Sequence, residues 1–264
     1  MKLENLLDKI RNLKPLYQPV SEATGDTLKY GDPEKEIKKV CVCMLPDTNI
    51  LRRAAEAGAD LLITHEPTFY DHPDIPPEGN IYAQEKMRIL QETGMALFRY
   101  HDHPHNMPED MIDCGTIQYS GLAGKITGKP YWAVTGFRLA EPMTAAETAS
   151  QLEKALSTKH IRIAGARDIP GRNIAFACGT PGHIKELLLS PDWDFIVTGE
   201  ICEWADGEMV KDAALQGRNK AVLVLGHGVS EEAGMRVFAD LLQERFPELE
   251  VIFLPNLPLF SYTD

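Results

Sequence analysis

His101, His103 and His105 stand at alternate positions in Phe98-Arg-Tyr-His-Asp-His-Pro-His-Asn106, so three of the chain's eight histidines fall within five residues. Neutral imidazole is a ligand for borderline divalent ions such as Zn, Fe or Mn. If the segment is extended at the end of a strand, alternate side chains point the same way, and the three rings share one face with Asp102 between them. The competing reading is a solvated, histidine-rich turn beside Pro104. Ligand types recur elsewhere: His65 is followed by Glu66, and Gly226-His-Gly-Val-Ser-Glu231 places His227 and Glu231 four residues apart where a helix begins. At that spacing both side chains lie on one helical face and can converge on one ion. Glu232 is the rival in register. Taken alone, the pair also reads as a helix cap and a first-turn acid favoured by the helix dipole.

These residues need elements to position them. Residues 37–45 are β-rich, 48–57 carry helical apolar spacing closed by Gly58, and 59–64 form the next strand, a βαβ unit that ends at His65. Residues 81–93 read as a helix stopped by Gly94, and 95–100 as a third strand running into the histidine cluster. In open parallel sheets ligands bind beyond the carboxyl ends of strands, which sets His65 and the cluster side by side at one rim. Residues 135–140 read as a strand, 144–156 as a helix opened by the capping box Thr144-Ala-Ala-Glu147, and 160–164 and 173–178 as further strands. The Gly179-Thr-Pro-Gly-His183 loop opens a helix through Leu189 and reads either as an anion cradle or as a tight turn. Asp194-Phe-Ile-Val-Thr-Gly-Glu200 is a strand with a polar end, followed by a helix to Leu215, and Ala221-Val-Leu-Val-Leu-Gly226 is a buried strand ending in His227. Three separated strands thus terminate in histidine, which favours a metal site. The expected fold is α/β, with mixed, largely parallel sheets flanked by helices. It divides into halves 1–125 and 175–264 joined by a smaller α+β segment, 126–174.

At 264 residues and 44% hydrophobic, the chain can bury one large core or two modest ones. Its 27 basic and 39 acidic residues give a formal charge of -12, which argues against a nonspecific nucleic-acid binder. The N-terminus has amphipathic helix spacing with acidic residues, unlike a signal peptide, and no apolar stretch approaches the roughly 20 residues that span a bilayer. A cytoplasmic protein without a membrane partner is expected. Five cysteines and no CxxC suit reduced thiols, read as small core residues.

Six short motifs together resemble the NIF-three-like (NGG-one-interacting-factor-three-like) dinuclear metal-centre family, whose members often carry the label GTP cyclohydrolase 1 type 2. They are Tyr30-Gly-Asp-Pro-Glu34, Gly58-Ala-Asp-Leu-Leu-Ile-Thr-His-Glu-Pro67, the 101–105 segment, Cys178-Gly-Thr-Pro-Gly182, Val197-Thr-Gly-Glu200 and Gly226-His-Gly-Val-Ser-Glu231. The resemblance covers nearly the whole chain and implies one NIF-three-like unit without the inserted domain of longer relatives. It implies metal binding by His65, His105, His227 and Glu231, with Glu66, His101 and His103 as further candidates. Where the family carries paired histidines, this chain has His65 and Glu66. Where the family has a histidine and then an aspartate ligand, the register falls on His101 and His105, with Asp113 eight residues beyond. One histidine has become an acid and one acid a histidine, so the size of the ligand set is unchanged. Glu66 and Glu200 are the candidate acid–base or orienting residues. A histidine usual in the family's next segment is missing from Cys202-Glu203-Trp204.

The implied cofactors are two divalent ions (Zn, Fe or Mn) about 3.5–4 Å apart, activating water for hydrolysis of a carbonyl, amidine or phosphoryl centre. A nucleotide or cyclic amide is the implied substrate, and a homohexamer the implied assembly. An acidic surface would leave phosphate recognition to the metals or to local cations such as Arg99, Arg52 or Arg53. The alternative, from another class, is a metal or metal-cofactor carrier or regulatory ring without turnover.

Overall fold

The buried apolar runs assemble into two sheets. The computed structural model describes residues 1–21 and 23–263. The chain runs through α1 (Leu3–Arg11), β1 (Leu28–Tyr30), β2 (Lys39–Cys43), α2 (Thr48–Glu56), β3 (Leu61–Thr64), α3 (Ile81–Thr93), β4 (Ala96–Arg99) and the single turn α4 (Asp102–His105). It continues with α5 (Met111–Tyr119), β5 (Gly124–Tyr131), β6 (Val134–Thr144), α6 (Ala145–Ala155), β7 (Arg162–Gly165), β8 (Pro170–Ala177), α7 (Ile184–Leu189) and β9 (Phe195–Thr198). A π-helical turn, Glu203–Gly207, then leads into α8 (Glu208–Leu215), β10 (Ala221–Val224), α9 (His227–Arg245) and β11 (Glu250–Phe253). Two compact units result: Met1–Pro108 with Met235–Asp264, and Glu109–Gly234.

In the first unit the sheet order is β1-β4-β3-β2-β11. β4, β3, β2 and β11 run parallel, while β1 pairs antiparallel with β4. Alternate residues explain the burial of both faces. Cys41, Cys43, Leu62 and Leu97 pack with Ile50, Leu51, Ala83 and Leu90 of α2 and α3, while the intervening Val42, Ile63 and Phe98 are buried as well. The helices begin where side-chain acceptors satisfy their first amides: Asp47 accepts from Ile50 N at 2.7 Å, and Asn80 from the amides of Tyr82 and Ala83.

The second unit's sheet order is β5-β6-β8-β9-β10-β7, with β8, β9 and β10 parallel and the other pairings antiparallel. Period-two alternation divides its core: Ile174, Phe176, Phe195, Val197 and Leu223 enter one cluster, and Ala175, Ala177, Ile196, Val222 and Val224 the other. Thr144 and Glu147 form the expected capping box at α6. The segment 126–174, expected as a joint between halves, instead contributes β6 and β7 and most of β5 and β8 to the same sheet as β9 and β10.

Cys41, Cys43 and Cys178 are buried and Cys114 is partly so, but Cys202, expected in the core, is exposed where the chain has left β9 and turns into the π-helical segment. Among the described residues, no helix is long and apolar enough to cross a membrane.

Candidate functional site

In the first unit, β3 and β4 are parallel neighbours with Thr64 opposite Arg99. Both chains leave the sheet at the same level, and the Tyr100 amide donates to the Thr64 carbonyl at 2.8 Å. His65 therefore emerges beside His101. The cluster itself is not extended, as the alternation suggested. Asp102–His105 is one helical turn with His101 at its N-cap position. Pro104 is tolerated there because a first-turn residue has no intrahelical amide bond to lose. At 3.6 residues per turn, positions four apart share a side and positions two apart face nearly opposite ways. His101 and His105 accordingly turn together towards His65, while His103 turns away.

One ligand atom from each of His65, His101 and His105 lies within 4.8 Å of the others. Two metal–nitrogen bonds of about 2.0–2.1 Å set their nitrogens about 3.3 Å apart at a tetrahedral angle, so a modest inward shift of the rings would let one ion reach all three. The ring centroids are 4.5 Å apart for His65 and His101, 5.2 Å for His65 and His105, and 5.1 Å for His101 and His105. Outer partners orient two of the rings: His65 Nδ1 faces the Tyr100 carbonyl at 3.1 Å, and His101 Nδ1 faces Asp102 Oδ1 at 2.8 Å. Acceptors at those positions place the proton on Nδ1 and turn the Nε2 lone pair inward. Complete burial, followed by the neighbouring His101 and His105, holds the His65 pKa well below the usual imidazole value, so the ring is neutral at pH 7. Asp102, with its carboxyl held well below the usual carboxylate range first by the His101 hydrogen bond and then by Thr24 and the Gly25 amide, stays ionised. The donor set fits a divalent ion of borderline softness.

Glu66 borders this group, with Oε1 3.9 Å from His101 Nε2 and Oε2 3.8 Å from Arg99 Nη2. Arg99 is 2% exposed and donates to the carbonyls of His65 and His72, so it supports the site and is not an open cation for a phosphate. Of the other cations considered, Arg52 pairs with Glu85, and Arg53 donates to the Pro255 carbonyl. His103 is buried, stacks on Tyr100 and places Nδ1 2.6 Å from Asp26 Oδ2, so its ring serves the turn and not the imidazole group. No local motif in the sequence marks Asp26. Its carboxylate also accepts the amides of His101, Asp102 and His103, across 75 to 77 residues of chain.

In the second unit, β8, β9 and β10 end in register, and Cys178-Gly179, Gly199-Glu200 and Gly226-His227 follow their carboxyl ends. His227 Nε2 is 3.3 Å from Glu231 Oε2, one helical turn along α9, and His227 Nδ1 is 2.7 Å from Glu200 Oε1. Glu200 thus orients the ring from its far side, at 53% side-chain exposure, while Glu231 is buried. Gly179 is the glycine this arrangement requires. Its φ is +69°, and a Cβ there would sit 2.2 Å from Glu231 Oε1. Its amide donates to Ser230 Oγ at 2.9 Å and is not available to an anion. A Cβ on Gly199 would strike the Gly179 carbonyl at 2.6 Å and His227 Cα at 2.9 Å. The Thr-Gly-Glu motif therefore lets three strand ends close on one another. Asp113, the carboxylate in the family register, is buried in this unit and accepts from the Cys178 amide. Burial, followed by the charges of Asp113 and Glu231, pushes the Cys178 thiol well above its usual pKa and removes it as a nucleophile.

The family model for Duf34/NIF3 (NGG1p interacting factor 3) matches residues 1–258. The chain belongs to the Duf34/NIF3 family. Among its Duf34/NIF3 relatives is a GTP cyclohydrolase 1 type 2 homolog of Chlamydia pneumoniae, 26% identical over 227 residues, covering 83% of this chain and 85% of that one. A second, of the same description, from Clostridium perfringens, is 24% identical over 256 residues, covering 93% and 92%. The crystal structure of a Bacillus cereus protein related to NIF3 superposes with a TM-score of 0.79 at 12% identity, over 100% of this chain and 99% of that one. At that identity the match speaks for the fold, mixed α/β with two sheets flanked by helices.

Proposed function

We propose that this protein binds two divalent metal ions, Zn, Fe or Mn, and is a metal-dependent hydrolase of a nucleotide or a cyclic amide or amidine. The observation that carries the metal reading is the convergence of His65, His101 and His105, with His65 and His101 presented by hydrogen-bonded Nδ1 atoms. His227 and Glu231 supply the mixed N/O ligands of the other unit, oriented by Glu200. The number of ions rests on the family resemblance, and the nucleotide on the names of the relatives.

A bound ion would supply Lewis acidity and lower the pKa of a coordinated water. The chain's own part is to hold the His65 ring neutral, orient the His65 and His101 rings through their Nδ1 atoms and keep a carboxylate close by. Glu66, with Oε1 3.9 Å from His101 Nε2 and Oε2 3.8 Å from Arg99 Nη2, is the candidate to exchange a proton with a group approaching His101. A cytoplasmic homohexamer completes the reading, by family resemblance.

Elemental analysis of tag-free protein, with anomalous diffraction at several absorption edges, tests it. The expected result is bound transition metal that His105→Ala, His227→Ala and Glu231→Gln each deplete while the fold survives. Full metal stoichiometry in all three variants would refute the assignment. Metal-loaded protein inactive on nucleotides, phosphoesters and cyclic amides would leave a carrier and sink the hydrolase.

A further inference from the structure

We propose that Asp26 is the positioning residue of the histidine turn, and that His103 serves it as a hydrogen-bond donor and is not a metal ligand. The inference rests on the metal-binding reading of His65, His101 and His105, and assigns the two polar residues around them that this reading does not use.

A carboxylate has two oxygens and about four acceptor sites. On Asp26 all four are taken by one turn of helix. Oδ1 accepts the amides of His101 at 2.6 Å and Asp102 at 2.9 Å, and Oδ2 accepts the His103 amide at 2.8 Å and His103 Nδ1 at 2.6 Å. The three amides are those a helix leaves without internal partners at its start, and a negative charge there also complements the dipole. The clamp is reciprocal. Asp102 reaches back to accept from Thr24 Oγ1 at 2.6 Å and the Gly25 amide at 3.3 Å, while its other oxygen meets His101 Nδ1. Residues 24–26 and 101–103 thus bind each other in both directions.

A four-residue turn is too short to persist alone. Its orientation must be imposed, and Asp26, whose side chain is fully buried, imposes it. His103 completes the device, its ring stacked on Tyr100 with centroids 5.6 Å apart and Nδ1 directed at Asp26, so its direction is fixed on the side opposite His101 and His105. An amide at position 26 would offer one accepting oxygen to one pair of donors and turn its own N–H groups against the other pair.

The side-chain nitrogen of asparagine lies as many bonds from Cα as histidine Nδ1, and that of glutamine as many as Nε2. His103→Asn therefore keeps the donor to Asp26 and removes Nε2, and His103→Gln carries its N–H groups one bond past the position that meets Asp26. In competition titrations of the full-length protein with Zn and Co, His103→Asn is expected to keep the wild-type affinity, while His103→Gln and Asp26→Asn lose about 10–100-fold, as for other partners that orient ligands. Affinity lost in His103→Asn, which keeps the donor to Asp26 and lacks only Nε2, would make His103 a ligand and overturn the proposal, as would equal behaviour of the two variants. Imidazole NMR of ¹⁵N-labelled, metal-free protein provides the independent arm. A strongly hydrogen-bonded His103 Nδ1–H resonance is expected in the wild type and in His105→Ala, and is expected to vanish in Asp26→Asn. Its absence from the wild type would refute the clamp even where metal binds, and its presence in a protein that binds no metal would uphold the clamp while the metal reading falls.

Discussion

The two units place candidate ligands by the same device and finish the job differently. In each, side chains follow the carboxyl ends of adjacent parallel strands, His65 and His101 after β3 and β4, Glu200 and His227 after β9 and β10. In the first unit the ligand types are imidazoles held by polar partners, the half-buried Asp102, the Tyr100 carbonyl and, at one remove, the buried Asp26. In the second they are an imidazole and carboxylates, and precision comes from bare backbone, since Gly179 and Gly199 leave no room for a Cβ. A site can be made exact by hydrogen bonds that pull or by packing that excludes, and the two respond differently to mutation.

The largest expected effect breaks the packing side. Gly179→Ala adds a left-handed backbone penalty to a collision with Glu231 and should cost about 2–4 kcal/mol in chemical denaturation, displacing the carboxylate. A loss near zero would show that α9 yields easily and that the second unit is not packing-limited. Next come the orienting carboxylates. Asp102→Asn should weaken metal binding by about 10–100-fold, because the partner is half-buried and ionised. Glu200→Gln, at a more exposed and solvent-screened position, should do less. The reverse order in isothermal titrations would overturn the contrast.

A smaller effect should appear at Asp74, buried in the first unit with Oδ1 accepting the Thr68 and Phe69 amides. Burial raises its pKa above the unfolded value, so its contribution to stability is present below the unfolded pKa of about 3.9 and lost as pH rises through the folded one. Asp74→Asn keeps the accepting oxygen and avoids that loss. Its Tm relative to wild type should therefore rise from pH 4 to pH 7, and a flat difference would contradict the shift. Least costly to stability is thiol labelling at pH 8. Cys202 should react alone in native protein, because burial pushes Cys41 up to about 11, and burial with the charges of Asp110 and Asp113 pushes Cys114 up to about 12. Mass spectrometry showing rapid modification of Cys41 or Cys178 would show that the buried sheets open readily.

The strand ends were readable because apolar runs followed by histidine or glutamate are local signals, and α3 and the α6 capping box were readable for the same reason. What could not be read was non-local. Nothing within 101–105 says that the segment coils, because the acceptor that makes it coil is Asp26, and alternation in the sequence therefore grouped His103 with rings it turns away from. Arg99 looked like an available cation because its carbonyl partners come from His65 and His72. The mostly exposed β5 carried no apolar run to announce membership of the second sheet.

The pairing of Thr64 with Arg99 has one more consequence, for the order of events during folding. His65 and His101 meet only after two parallel strands 35 residues apart are in register, and parallel pairings of that separation form late because the loop entropy must be paid first. The imidazole group is thus a product of the finished sheet and not its nucleus. Metal should leave the rate of refolding unchanged and slow only the unfolding of the completed protein.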